Sequence, residues 1–277
     1  MRTELISIQT DTVLLDGAFH WPENRSLRGG VLLFHGNTMN FYIGAPRFLP
    51  PVLTELGFAC LAFNRRGHDI LSVRNSRDAE GGAYQLTSEG IADNEYAAEW
   101  MAARGFPSPV VIGHSNGGML AVAHVANHPE TPALVLLSAH RGGSGALVRR
   151  AQEALAGSKS DEFMARAKDL VAAGKGRELM LMPNWWYVLS AESFIDRFTT
   201  MPDTFALAPK ITSPVLYIRG DLEPKDAYPA EEYQQRAGGR CDVQIVANCD
   251  HFYNGVENTI CDLVSQWLLN HTKPSFA

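Results

Sequence analysis

Eight short runs of apolar or alternating residues, separated by longer amphipathic stretches, set the tightest limit on what this chain can fold into. They are ELISIQ (4–9), TVLLDGAF (12–19), GVLLFH (30–35), FACLAFN (58–64), PVVIGH (109–114), ALVLLSA (133–139), PVLYIRG (214–220) and DVQIVAN (242–248). The first two alternate in polarity, as an antiparallel edge hairpin requires. The later ones are continuously apolar, the pattern of strands buried on both faces of a parallel sheet. Helical segments lie between them near 46–56, 88–104, 116–127, 229–237 and 255–270. Thr87 or Ser88, followed by Glu89, reads as the cap of the second helix. Such alternation predicts a three-layer α/β fold with right-handed crossovers.

One interval breaks the rhythm. Between Ala139 and Pro214 there is no strand signal; RRAQEALAGSKSDEFMARAKDLVAAGKGREL is amphipathic and helical, and MPNWWYVLSAESFIDRF is rich in aromatics. Residues 1–140 and 211–277 are therefore expected to form the core domain, and 141–210 an inserted helical cap.

A chain of 277 residues buries a sizeable core without a metal or disulfide staple. A net charge of −6 argues against nucleic-acid and anionic-membrane partners. Cys60, Cys241, Cys249 and Cys261 form no C-x-x-C pair and no zinc-spaced cluster, so they read as reduced thiols, with no metal and no cofactor implied. The N-terminus lacks a signal-peptide apolar stretch, and no run approaches the roughly 20 residues of a membrane span. The expectation is a cytoplasmic protein, monomer or homodimer.

The chemistry concentrates at VVIGHSNGGML (110–120). A nucleophilic serine must stand exposed at the carboxyl end of the sheet, beside a base and under anion-stabilising amides. A tight strand-to-helix turn does this at the cost of strained backbone. Side chains two positions before and after the serine would then collide with the neighbouring strand and helix. Gly113 and Gly117 remove those side chains around Ser115, giving G-x-S-x-G with a strand before and a helix after. His114 cannot turn back on so sharp a bend and is expected to pack beneath it.

In a strand–turn–helix arrangement of this kind the acid and then the histidine follow the serine in the chain. Among nine histidines, His251 alone lies just after the last strand, where a base would hang. His124 and His128 sit on the helix after Ser115, His140 opens the cap, and His271 is in the tail. The acid belongs on the loop after PVLYIRG, where Asp221, Glu223 and Asp226 compete. Asp250, beside the base, suits a local hydrogen-bonding role. An acyl transition state also needs two donors aimed at the developing oxyanion. Asn116 N–H, just after the serine, is one. Asn37 N–H in FHGNTMNF is the first choice for the other and Thr38 the second, with the Asn37 side chain free to close the loop or enter the pocket.

FHGN, FNRRGHDILS, GHSNGG, IRGDLEP and CDHFY, in this order, resemble the α/β-hydrolases of the serine esterase/lipase type over about residues 25–270. The resemblance implies an eight-stranded, mostly parallel sheet with a cap inserted after the sixth strand. It also implies that the acid lies three residues after the strand-ending glycine. Counting from Gly220, that is Glu223, with Asp221 the second choice. Asn64 and Asp69 depart from the usual Asp and Gly of the post-strand loop, a loop that carries structure rather than chemistry. Haloalkane dehalogenases and epoxide hydrolases use a carboxylate nucleophile, whereas position 115 is serine and the loop reads HGNT.

Substrate is left open. Trp185, Trp186 and Tyr187 can line an apolar pocket or anchor the cap, and Arg141 at the exit of the sixth strand can meet an anionic group. The expected partner is a small-molecule ester, a lactone or a bulky apolar or aromatic ester. Two alternatives remain: a thioesterase, amidase or C–C hydrolase with the same residues, and a ligand-binding receptor with little turnover.

Overall fold

The computed structural model describes residues 1–23, 25–73, 78–144, 153, 155–184 and 187–273. The chain begins with strands β1 (Arg2–Ile8), β2 (Leu15–Trp21) and β3 (Gly29–Phe34), helix α1 (Ala45–Glu55) and β4 (Phe58–Phe63). A two-stranded ribbon, β5 (Ser72–Val73) and β6 (Ala79–Glu80), precedes α2 (Thr87–Ala102), β7 (Val110–His114), α3 (Asn116–Asn127) and β8 (Leu134–Leu137). Then come α4 (Ser160–Ala172), a second ribbon of β9 (Leu179–Leu181) and β10 (Val188–Ser190), α5 (Ala191–Thr199) and α6 (Thr204–Leu207). The chain continues through β11 (Val215–Gly220), α7 (Ala230–Gln234), β12 (Cys241–Val246) and α8 (Glu257–His271).

All eight apolar runs become strands of one sheet, ordered β1-β2-β4-β3-β7-β8-β11-β12. β1 is the antiparallel edge expected from its alternation, and β2 is antiparallel to β4. The remaining pairs are parallel. Successive side chains of the central strands enter opposite layers, as a period of two demands. Leu32, Phe34, Val111, Leu134 and Leu136 pack with Ala97, Met101, Ala121 and Val125 of α2 and α3. Val31, Leu33, Ile112, Val135 and Leu137 face Leu49 and Leu53 of α1 and Ile260, Val264 and Leu268 of α8. Burying each such aliphatic side chain is worth about 1.5–3 kcal/mol, so both faces of the sheet are committed to the core.

The structure corrects two local expectations. The residue capping α2 is Leu86, whose N–H donates to Glu89 Oε2 at 3.2 Å. Thr87 is already helical, and its N–H and hydroxyl both donate to Asp196, at 2.7 and 2.6 Å. Second, the interval expected to lack strands contains β9 and β10, each only three residues long, too short to register as an apolar run. Within 141–210, Leu155, Phe163, Met180, Leu189, Phe194 and Phe198 form their own apolar cluster, joined by Ile70. Ser190 N–H and Ser193 Oγ donate to the carbonyls of Ala83 and Gln85, both at 2.7 Å, tying this cluster to the chain before α2.

The four cysteines are unpaired and buried. Among the described residues no helix is long and apolar enough to cross a membrane.

Candidate active site

Ser115 occupies the hinge between β7 and α3 with φ 54° and ψ −117°. A side chain other than glycine pays about 1–3 kcal/mol for such a conformation, and the surroundings show what enforces it. A Cβ on Gly113 would strike the Gly117 carbonyl and stand 2.8 Å from Ala121 Cβ. One on Gly117 would strike Phe34 O and lie 2.5 Å from His35 O. The first glycine lets α3 close on its own strand, and the second lets it close on the end of β3. Ser115 is left partly exposed at the carboxyl ends of the strands.

His251 lies in the loop between β12 and α8. Its Nε2 is 3.0 Å from Ser115 Oγ, and its Nδ1 is 2.7 Å from Glu223 Oε1. Glu223 is 5% exposed, so it needs its charge compensated. Its Oε2 accepts from Ser138 Oγ at 2.6 Å and from Gly220 N–H at 2.8 Å. Burial raises the carboxyl pKa, but the hydrogen bonds from His251, Ser138 and Gly220 outweigh it and hold the group below its ordinary value. An ionised Glu223 accepts from His251 Nδ1–H, which leaves the Nε2 lone pair to accept from the Ser115 hydroxyl. Such an arrangement can pass a proton from serine oxygen to imidazole.

A second tier of hydrogen bonds supports Glu223. Ser138 sits at φ 45°, which ends β8 two residues earlier than its apolar run and turns the hydroxyl toward Glu223. Because that hydroxyl donates to Glu223, it accepts from Tyr253 Oη at 2.7 Å. Asp250 plays the local role its position suggested, accepting the N–H groups of Phe252 and Asn254 at 2.9 and 3.1 Å. Asp221 lies apart from the imidazole. It is exposed, and its Oδ1 accepts Cys249 N–H at 3.2 Å.

His114 packs beneath the turn, its ring 4.9 Å from that of His251. Its Nε2 is 2.9 Å from the His251 carbonyl and so carries the proton. Burial, with a smaller contribution from the charge of His251, pushes His114 down to about 4. The unfolded chain would titrate this group near 6.5 and so binds the extra proton between about 6.5 and 4. Stability therefore falls as pH drops through that window and levels off below it. Urea unfolding at pH 7 and pH 5 is expected to show this group costing roughly 2 kcal/mol. The pH dependence should shrink by that amount in His114→Gln, which keeps a donor for the His251 carbonyl. Equal pH dependences in the two proteins would contradict this account.

The loop after β3 stands against Ser115: a Cβ on Gly36 would lie 3.4 Å from Ser115 Cβ. Asn37 follows it, and Thr38, with φ 56°, turns the chain away. Asn116 is the first residue of α3, so its N–H has no intrahelical acceptor. Its side chain is held below by Arg65, whose Nη2 donates to Asn116 Oδ1 at 3.3 Å and to the His35 carbonyl at 2.6 Å. Arg65 is wholly buried, and burial pushes it down to about 10 against the opposing charge of Asp93.

Residues from 141–210 meet this same edge. The Tyr187 hydroxyl, at the end of a buried side chain, takes hydrogen bonds from Asn37 Nδ2 at 3.3 Å and Arg197 Nη2 at 3.0 Å. Arg197 also donates to Asn37 Oδ1 at 3.1 Å, and Asn116 Nδ2 lies 3.7 Å from Met201 Sδ. The Asn37 side chain is thus engaged by Tyr187 and Arg197 of 141–210 and not within its own loop. Trp185 and Trp186 lie outside the described residues. Arg141 stacks on Phe205, its guanidinium carbon 4.5 Å from the ring centroid.

The sequence reading passed over Ser138, Tyr253 and Arg197 and gave the loop carrying Arg65 only a structural part. Tyr253 stood inside CDHFY, which could have flagged it. Ser138 read as the end of an apolar run, and Arg197 carries no local signal at all.

No curated protein sequence matches the chain. Among solved structures it is similar to Est1E from Butyrivibrio proteoclasticus with ferulic acid bound, at 16% identity and TM-score 0.73, covering 96% of this chain and 98% of that one. It is also similar to the alpha/beta hydrolase GrgF from Penicillium sp. sh18, at 14% identity and TM-score 0.74, covering 98% and 99%. A soluble variant of monoglyceride lipase from Saccharomyces cerevisiae, in complex with a substrate analog, matches at 17% identity and TM-score 0.70, covering 98% and 96%. At such identities these likenesses speak to the fold. The sequence model of the alpha/beta hydrolase family matches residues 31–258, from β3 to the start of α8 and across Ser115, Glu223 and His251. The chain belongs to the alpha/beta hydrolase family.

Proposed function

We propose that the protein is a serine hydrolase that cleaves a carboxylic ester through an acyl-enzyme on Ser115. The observation that carries this reading is the continuous chain Ser115 Oγ–His251 Nε2–Glu223, at 3.0 and 2.7 Å, on a strained strand-to-helix turn. His251 takes the serine proton as Ser115 Oγ attacks the carbonyl carbon. The oxyanion is met by the Asn116 and Asn37 amides, the first aided by its place at the positive end of α3. Collapse of the tetrahedral intermediate expels the alcohol, which receives its proton from His251. Water, deprotonated by the same imidazole, then releases the acid.

Residues 141–210 act in this reading as a cap over the site. Tyr187, Arg197 and Met201 supply contacts to Asn37 and Asn116 that favour this placement. An ester of a bulky apolar or aromatic acid, or a lactone, is the substrate class proposed. The neighbour Est1E, solved with ferulic acid, is in keeping with an aromatic acyl group.

The test is a panel sharing one aromatic acyl group as ester, thioester and anilide, beside p-nitrophenyl esters from acetate to octanoate. The ester is expected to be turned over fastest. Faster cleavage of the thioester or anilide would replace the ester reading, and tight binding of the acid with no turnover of any member would favour a receptor.

A further inference from the structure

Far from Ser115, at the other end of α3, three side chains converge that the proposed reaction does not use. His124, in the last turn of α3, places Nδ1 2.7 Å from Glu95 Oε1 of α2. His128, just past the helix end, places Nε2 2.8 Å from Glu95 Oε2. The two imidazoles stack with centroids 4.2 Å apart and planes 27° apart. One ligand atom from each of the three residues lies within 4.8 Å of the others. The other nitrogen of His128, Nδ1, is 3.1 Å from Glu130 Oε1.

We infer that Glu95, His124 and His128 form a binding site for a divalent transition metal, Zn²⁺ above all, that staples α2 to α3. Two imidazoles and a carboxylate are a borderline-soft donor set, which favours Zn²⁺, Co²⁺, Ni²⁺ or Cu²⁺ over Mg²⁺ and Ca²⁺. Tetrahedral zinc with bonds of about 2.0–2.1 Å sets its donor atoms roughly 3.4 Å apart. The two Glu95–histidine contacts are shorter than this and all three ligand atoms lie within 4.8 Å of one another, so exchanging two N–H protons for one metal asks for shifts on the order of an ångström. The protons on His124 Nδ1 and His128 Nε2 leave to solvent or move to the opposite ring nitrogen. Glu130 then takes the place of the carboxylate that commonly accepts the outer N–H of a zinc-bound histidine. Glu95 and His128 are each about one-third exposed, at 36% and 33%, while His124 is 4% exposed. The site thus has an open side for metal entry and one anchored ligand. His124 stands nine residues beyond Ser115, about 13 Å along the helix axis, so the metal acts on the packing of α3 and not on the reacting atoms.

The experiment uses tag-free full-length protein stripped with chelator, titrated with Zn²⁺ by calorimetry and with Co²⁺ by visible absorption. One equivalent is expected to bind, raising Tm by several degrees at saturation, while Mg²⁺ leaves Tm unmoved. His128→Ala and Glu95→Gln are each expected to weaken Zn²⁺ binding at least tenfold and to abolish the Tm shift. Both replace partly exposed side chains, and unchanged circular dichroism and ester turnover would show them folded. Absence of saturable Zn²⁺ binding to the wild type would overturn the proposal. So would equal binding to wild type and both variants, which would place the ion elsewhere.

Discussion

Ser115→Ala is expected to lower kcat for p-nitrophenyl esters by about 10⁵–10⁶-fold, with the protein still folded. The loss is large because Ser115 Oγ is the atom that would form and break the covalent bond, and among the described residues no other hydroxyl shares its contact with His251 Nε2. Folding should survive, since the backbone strain at φ 54° is borne by the glycines and the strand ends, not by the hydroxyl. Alanine tolerates that backbone no worse than serine does. The residual rate would report binding and the oxyanion donors alone. A variant retaining a tenth or more of wild-type kcat, with matched KM and no contaminating esterase, would remove Ser115 from the mechanism.

Glu223→Gln is expected to cost about 10⁴-fold in kcat with little change in KM. The reason lies in which donors can turn. Gly220 N–H is fixed in the backbone and points at Oε2 from 2.8 Å. The glutamine carbonyl must take that place, because an amide NH₂ there would face a donor it cannot satisfy. The NH₂ group then faces His251 Nδ1, which has to accept, so the ring proton moves to Nε2 and confronts Ser115 with a donor. Packing is kept while the tautomer is inverted. Asp221→Asn is the contrasting variant: its carboxylate is exposed and serves Cys249 N–H, so kcat should change by less than about threefold. If Asp221→Asn proved the more damaging of the two, the acid would have to be reassigned.

Much of this could be read from the sequence, for definite physical reasons. Strands covered on both faces must be continuously apolar, so FACLAF and PVVIGH announced themselves before any contact was known. The serine turn was legible because its crowding admits only glycine at 113 and 117, a constraint on local spacing. Glu223 needed more than local reading. Three carboxylates share that loop, and it was a family spacing, not the chemistry of the loop, that singled out position 223. What escaped depends on contacts between distant residues. Ser138 meets Glu223 across 85 positions and Arg197 meets Asn37 across 160. No periodicity encodes such pairs. Glu95 and His124 likewise meet only because α2 lies beside α3. The cap of α2 falls at Leu86, one or two residues before the Thr87 or Ser88 that the sequence suggests, and the Thr87 hydroxyl instead serves Asp196, 109 positions away.

The most direct measurement is active-site labelling with a fluorophosphonate, read by intact mass and peptide mapping. A single adduct on the peptide carrying Ser115 is expected, slowed in Glu223→Gln and absent in Ser115→Ala. No adduct on the wild type, or an adduct mapped to another residue, would contradict the assignment of Ser115 as a nucleophile activated by His251 and Glu223.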